Sequence, residues 1–126
     1  MPFRVSEEEF ARLVDEALAS LPPEFQPYME NVSVEVRTQP DREMRESLNL
    51  EEDTLLLGLY QGVPLTKKSV TAPIEWPERV LIFQRSVEQV CGNREEIVAQ
   101  VRRTVLHEVG HHFGLSEADL RKLGYG

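Results

Sequence analysis

The chain has 126 residues, 40% of them apolar, and carries 14 basic against 22 acidic side chains for a formal net charge of -8. That length suits one compact domain, residues 1–126, with a core just large enough to be stable, and leaves little room for a cleft between two lobes. The negative balance disfavours a non-specific nucleic-acid binder, no apolar run approaches the roughly 20 residues that span a bilayer, and one cysteine excludes an internal disulfide framework and a thiolate-cluster metal site.

The opening MPFRVSEEEF turns acidic within ten residues and does not read as a signal peptide. With that start and a single cysteine, the cytoplasm is the expected compartment. Ser6 followed by Glu9 forms a capping box. Phe10, Leu13, Val14, Ala17, Leu18 and Leu21 then recur at helical spacing until Pro22-Pro23 ends the helix. The stretch from Glu24 to Glu30 adds one turn. Val32, Val34 and Val36 alternate with Ser33 and Glu35, the pattern of a half-buried strand. A polar, helical segment is expected between Pro40 and Leu48. The apolar run from Leu55 to Tyr60 reads as a second strand, ended by Gly62 and Pro64. The segment from Pro64 to Pro77 has three prolines and no period, and reads as an irregular loop. Val80 to Phe83 gives a third short strand.

A short helix is expected to end near Cys91-Gly92. Asn93 with Glu96 forms a second capping box, and Ile97, Val101, Val105 and Leu106 give the buried stripe of the longest helix. Gly114 is placed to stop that helix as the left-handed residue past its last turn. A final short helix is expected from Ser116 to Leu123. Strands gathered before the main helix imply an α+β domain, a small twisted sheet of three or four strands packed on helices.

All three histidines lie between positions 107 and 112. His107-Glu108-Val109-Gly110-His111 reads HExxH. Four residues on a helix turn through about 400°, so His107 and His111 share a face about 6 Å apart along the axis. Two imidazoles placed that way can converge on one zinc. Glu108 lies about 100° round from His107, beside the metal, where its carboxylate can take a proton from water polarised by zinc. The bland alternative is a solvated helix end with histidines favoured by the helix dipole.

A catalytic zinc usually has three protein ligands plus water. No other histidine is available and 15 residues follow His111, so the third ligand is expected close by. Glu117 lies three residues past Gly114, in the pattern HExxHxxGxx(D/E/H), and is the preferred candidate. Asp119 is the rival, although Ser116 with Asp119 also reads as a capping box for the last helix. His112 points about 100° off the ligand face and reads as a buried or half-buried hydrogen-bonding side chain. Cys91 reads as a plain buried thiol.

The tail HEVGHHFGLSEADL, with LLGLYQGVPLTKKS and EEFARLVDEALASLP upstream, resembles the small bacterial zincin-like metallopeptidases over most of the chain. The resemblance implies a minimal zincin fold, a twisted sheet over an active-site helix. It also implies a zinc peptidase site, with His107 and His111 at the histidine-ligand positions, Glu108 at the general-base position and Glu117 at the third-ligand position. That last position is typically aspartate in the family; here it is glutamate, one methylene longer. Larger metzincins place a methionine turn after the motif, and no methionine follows His111 here. In zincins generally, a sheet-edge strand above the metal holds the peptide by main-chain pairing. The strand around Leu57 to Tyr60 is the candidate, with Lys67 and Lys68 on the loop beyond it.

The reading is a zinc metallopeptidase with a peptide or protein substrate and no nucleic-acid or membrane partner. The alternative is a zinc-binding module whose metal stabilises the domain or mediates partner binding without significant catalysis. A donor to the oxyanion is also expected, with Tyr60 and Tyr125 as candidates. The acidic surface implies a bias toward basic peptides.

Overall fold

The structure is a computed structural model and describes residues 3–51, 54–62 and 78–122. The first helix, α1, runs Glu7–Ala19, with the Ser6 hydroxyl accepting from the Glu9 amide at 3.1 Å. It buries Phe10, Leu13, Val14 and Ala17, the stripe its spacing predicts. A 3-10 turn, Pro23–Phe25, and the short α2, Gln26–Met29, fill the expected extra turn and bring Phe25 into the core.

Strand β1 spans Val32–Arg37 and α3 spans Arg42–Ser47, capped by Asp41. Strand β2 covers Gly58–Gln61, so it begins later than the apolar run that predicts it. Leu55 is 43% exposed, and Leu57 contributes its carbonyl to the Phe83 amide before the strand proper begins. Hydrophobicity alone places the start too early because Gly58 marks the point where the chain settles against the main helix. A Cβ at Gly58 would meet Thr104 Cγ2 at 2.5 Å and the Leu81 carbonyl at 3.0 Å.

Strand β3, Glu78–Phe83, is the centre of a three-stranded sheet ordered β1-β3-β2 among the described residues. It pairs parallel with β1, Val34 opposite Val80, and antiparallel with β2, Tyr60 opposite Val80. Its last four residues are buried, as a central strand requires. Helix α4, Gln84–Gln89, follows directly. The main helix α5 runs Arg94–His112, with Asn93 accepting from the Glu96 amide at 2.9 Å. Ile97, Val101, Val105, Leu106 and Val109 are fully buried between α1 and the sheet.

Helix α5 ends in a Schellman turn. The Leu115 amide donates to the Gly110 carbonyl, the Gly114 amide donates to the His111 carbonyl, and Gly114 has φ +80°. The turn sets α6, Glu117–Lys122, back against α5, where Leu120 is fully buried. The architecture is α+β, a small sheet packed on the long helix α5 and the N-terminal helix α1. No described helix is long and apolar enough to cross a membrane. The expected Pro64–Pro77 loop, with Lys67 and Lys68, lies outside the described residues, and so does Tyr125.

Candidate metal centre

The last turns of α5 place His107 and His111 one above the other. Their rings stack at 4.2 Å between centroids and 25° between planes, which follows from their four-residue spacing. The Schellman turn then brings the first turn of α6 back over the same face. Glu117 Oε1 lies 3.0 Å from His111 Nε2 and 3.4 Å from His107 Nδ1. One carboxylate oxygen therefore faces both imidazoles. Among the described residues these three form a group whose candidate donor atoms lie within 4.8 Å of one another.

The donor chemistry fits zinc. Ligands at 2.0–2.1 Å in a tetrahedron lie about 3.3 Å apart, and the two histidine–glutamate separations bracket that spacing. The donors are two imidazole nitrogens and one carboxylate oxygen, a set used by catalytic zinc. The group is partly open to solvent, with side-chain exposures of 39%, 48% and 43% for His107, His111 and Glu117.

Asp119 stands apart. Its Oδ2 accepts from the Ser116 amide at 2.9 Å and from the Ser116 hydroxyl at 3.0 Å, while its own amide donates to Ser116 Oγ. Those bonds, the backbone one first, hold its carboxyl below the usual carboxylate range. The side chain is committed to capping α6.

Glu108 points across from α5 to the sheet, where its Oε1 accepts from the Tyr60 amide of β2 at 3.2 Å. Its Oε2 has no hydrogen-bond partner among the described residues. The close packing of Gly58 on Thr104 is what brings strand and helix within reach. Tyr60 turns its hydroxyl to Glu78 Oε2 at 2.7 Å, so the phenol proposed for an oxyanion is engaged elsewhere. Burial, then the hydrogen bond to Glu78, pushes the Tyr60 hydroxyl well above its usual range.

His112 is buried, with 8% of its side chain exposed. It stacks on the Tyr60 ring at 4.0 Å and 14° and meets Phe113 edge-on. Its Nε2 lies 3.9 Å from Glu78 Oε2 and has no hydrogen-bond partner among the described residues. Burial agrees with the sequence reading; the hydrogen bond expected of it is not made at Nε2. The Tyr60–Glu78–His112 cluster escapes sequence reasoning because its members come from three elements. Only the alternation of β2 and β3 hints that Tyr60 and Glu78 share a face.

The chain belongs to the zincin-like metallopeptidase family, whose sequence model matches residues 29–126. Membership points to metallopeptidase-type chemistry, and the His–His–Glu group is where such chemistry has its donors. Among solved structures, a conserved hypothetical protein from Thermus thermophilus is similar at a TM-score of 0.55 and 22% identity, covering 86% of this chain and 94% of that one. At that identity the likeness supports the fold. No curated protein matches the chain significantly.

Proposed function

We propose that the protein is a zinc-dependent peptidase, with His107, His111 and Glu117 holding the metal and Glu108 acting as general base. The observation that carries the reading is the convergence of Glu117 Oε1 on both histidines at 3.0 and 3.4 Å. When bound, zinc supplies a Lewis acid that polarises the scissile carbonyl and makes an attacking water acidic near neutral pH. Glu108 holds Oε1 on the Tyr60 amide and leaves Oε2 to receive the water proton. It then delivers that proton to the departing amine nitrogen.

Among the described residues strand β2 is at one edge of the sheet and touches Glu108 through the Tyr60 amide, which supports main-chain pairing of a peptide substrate along it. The net charge of -8 supports a preference for basic peptides. The α1 side chains Phe10 and Leu13 share one core with Val101 and Val105 of α5, which supports residues 1–126 acting as a single domain. The cytoplasm remains the proposed compartment.

The second reading is a metal-binding module without catalysis. A closed structural zinc site uses four protein ligands. Zinc loading of Glu108→Gln with unchanged spectroscopy, and no loss of turnover because the wild type is itself inactive, would favour this second reading.

The test is hydrolysis of a mixed peptide library by zinc-loaded protein, with and without chelator. Glu108→Gln keeps stoichiometric zinc and loses about 100- to 10,000-fold in kcat. Turnover equal to wild type in that variant refutes the assignment of Glu108.

A further inference from the structure

Glu108 is not free to adopt any rotamer its position on α5 allows. Its Oε1 accepts from the Tyr60 amide, and Tyr60 is itself held from three sides. Its amide meets Glu108, its hydroxyl donates to Glu78 on the neighbouring strand, and its ring lies flat on His112. Tyr60 pairs with Val80, so Glu78 occupies the diagonal position on the same face of the sheet. Glu78 and His112 are each 8% exposed at the side chain. Packing a half-buried phenol against a carboxyl and an imidazole that are both largely buried is not what packing alone selects, because a fully apolar cluster would avoid their desolvation cost. The cluster joins β2, β3 and the last turn of α5, and β2 and α5 carry the two partners of the Tyr60–Glu108 bond.

We propose that Tyr60, fixed by Glu78 and His112, is a positioning residue for Glu108: its immobilised amide holds Oε1 so that Oε2 presents one orientation to the reacting water. This inference rests on Glu108 being the general base. Orienting a proton-transfer group is a large part of what a protein contributes to such a step. Loosening Tyr60 leaves the ligands in place and lets the carboxylate wander.

Tyr60→Phe removes the bond to Glu78 and keeps the ring on His112. In metal-free protein, hydrogen exchange of the residue-60 amide rises at least tenfold in Glu108→Ala, which removes the acceptor. It rises severalfold in Tyr60→Phe, while the Leu81 and Ile82 amides are unchanged in both. In zinc-loaded protein, Tyr60→Phe lowers kcat about tenfold, with KM and zinc affinity within twofold of wild type. The same change has no further effect in the Glu108→Gln background, because residues that act as a unit are not additive. A merely structural role for Tyr60 predicts equal losses in both backgrounds and overturns the inference. If wild-type protein with bound zinc hydrolyses nothing, the peptidase reading falls, and the exchange comparison decides alone. An unchanged residue-60 amide in Tyr60→Phe or in Glu108→Ala overturns the positioning.

Discussion

Glu117 and Asp119 are two residues apart on one short helix, yet their carboxylates are turned to different work. Glu117 places one oxygen between the two imidazoles, whereas Asp119 is tied to the amide and hydroxyl of Ser116. In the sequence both carry a ligand reading. The Ser-x-x-Asp pattern already shows that Asp119 has a second use, but only the course of the chain through Gly114 tells which side chain reaches the histidines. Zinc affinity separates them. Glu117→Ala loses at least roughly tenfold, the lower end of what even indirect partners of a metal contribute. Asp119→Ala stays near wild type. Competition against a chromophoric chelator measures both, and an unchanged affinity in Glu117→Ala removes it from the ligand set. Asp119 shows itself instead in acid. Its folded-state carboxyl titrates lower than in the unfolded chain. Its contribution to α6 is therefore complete above about pH 4 and lost as pH falls through the folded value. Ser116→Ala flattens that acid dependence in denaturant titrations.

Between elements, the decisive contact is α5 with α6. A Cβ at Gly110 would lie 2.6 Å from Leu120 Cδ2 and 3.3 Å from two more Leu120 atoms, and Leu120 is fully buried. Gly110 is thus the notch into which α6 seats its one buried side chain. Gly110→Ala costs about 1–3 kcal/mol by overpacking. By lifting α6 it also weakens zinc binding, although residue 110 is not a ligand. Isothermal titration of zinc into Gly110→Ala checks this; wild-type affinity would show that α6 repacks without moving Glu117. The helices are legible from period and caps: Ser6, Asn93 and Gly114 stand where the ends are. The role of Gly110 is not, since its reason is a leucine on another helix. The start of β2 is hidden for a similar cause. Leu55 and Leu57 look like strand, but the assigned strand begins only at Gly58, where the chain packs closely on Thr104.

Across the whole molecule, charge and core divide the labour. The apolar stripes of α1 and α5 close one core with the sheet. The Arg94 guanidinium at the start of α5 reaches Glu9 on α1 and holds that carboxyl below the usual range, chiefly by their hydrogen bond. The sign is the same as for Asp119: this contribution is complete above about pH 5 and disappears on acidification. Stability therefore falls from about pH 5 toward about pH 2, and Arg94→Ala makes the fall shallower. On the proposed function zinc would add a separate increment, because a ligand that binds only the folded chain stabilises it by about 2.7 kcal/mol at one hundred times its Kd. Chelator lowers Tm by a matching amount in wild type and leaves it unchanged in His107→Ala. An equal shift in both would place the stabilising metal elsewhere. The sign of the net charge is legible from composition, but the substrate is not, since a binding preference is written in surfaces that only the fold assembles.

The three proposed ligands fall within eleven consecutive positions, 107 to 117, and none belongs to the apolar cluster that closes the fold. Closing so short a span costs little chain entropy, and losing the three side chains themselves removes nothing from the core. Scaffold and chemistry are in that sense separable in descent. A lineage could lose its histidines to drift and inherit the same fold, free to be recruited to another use.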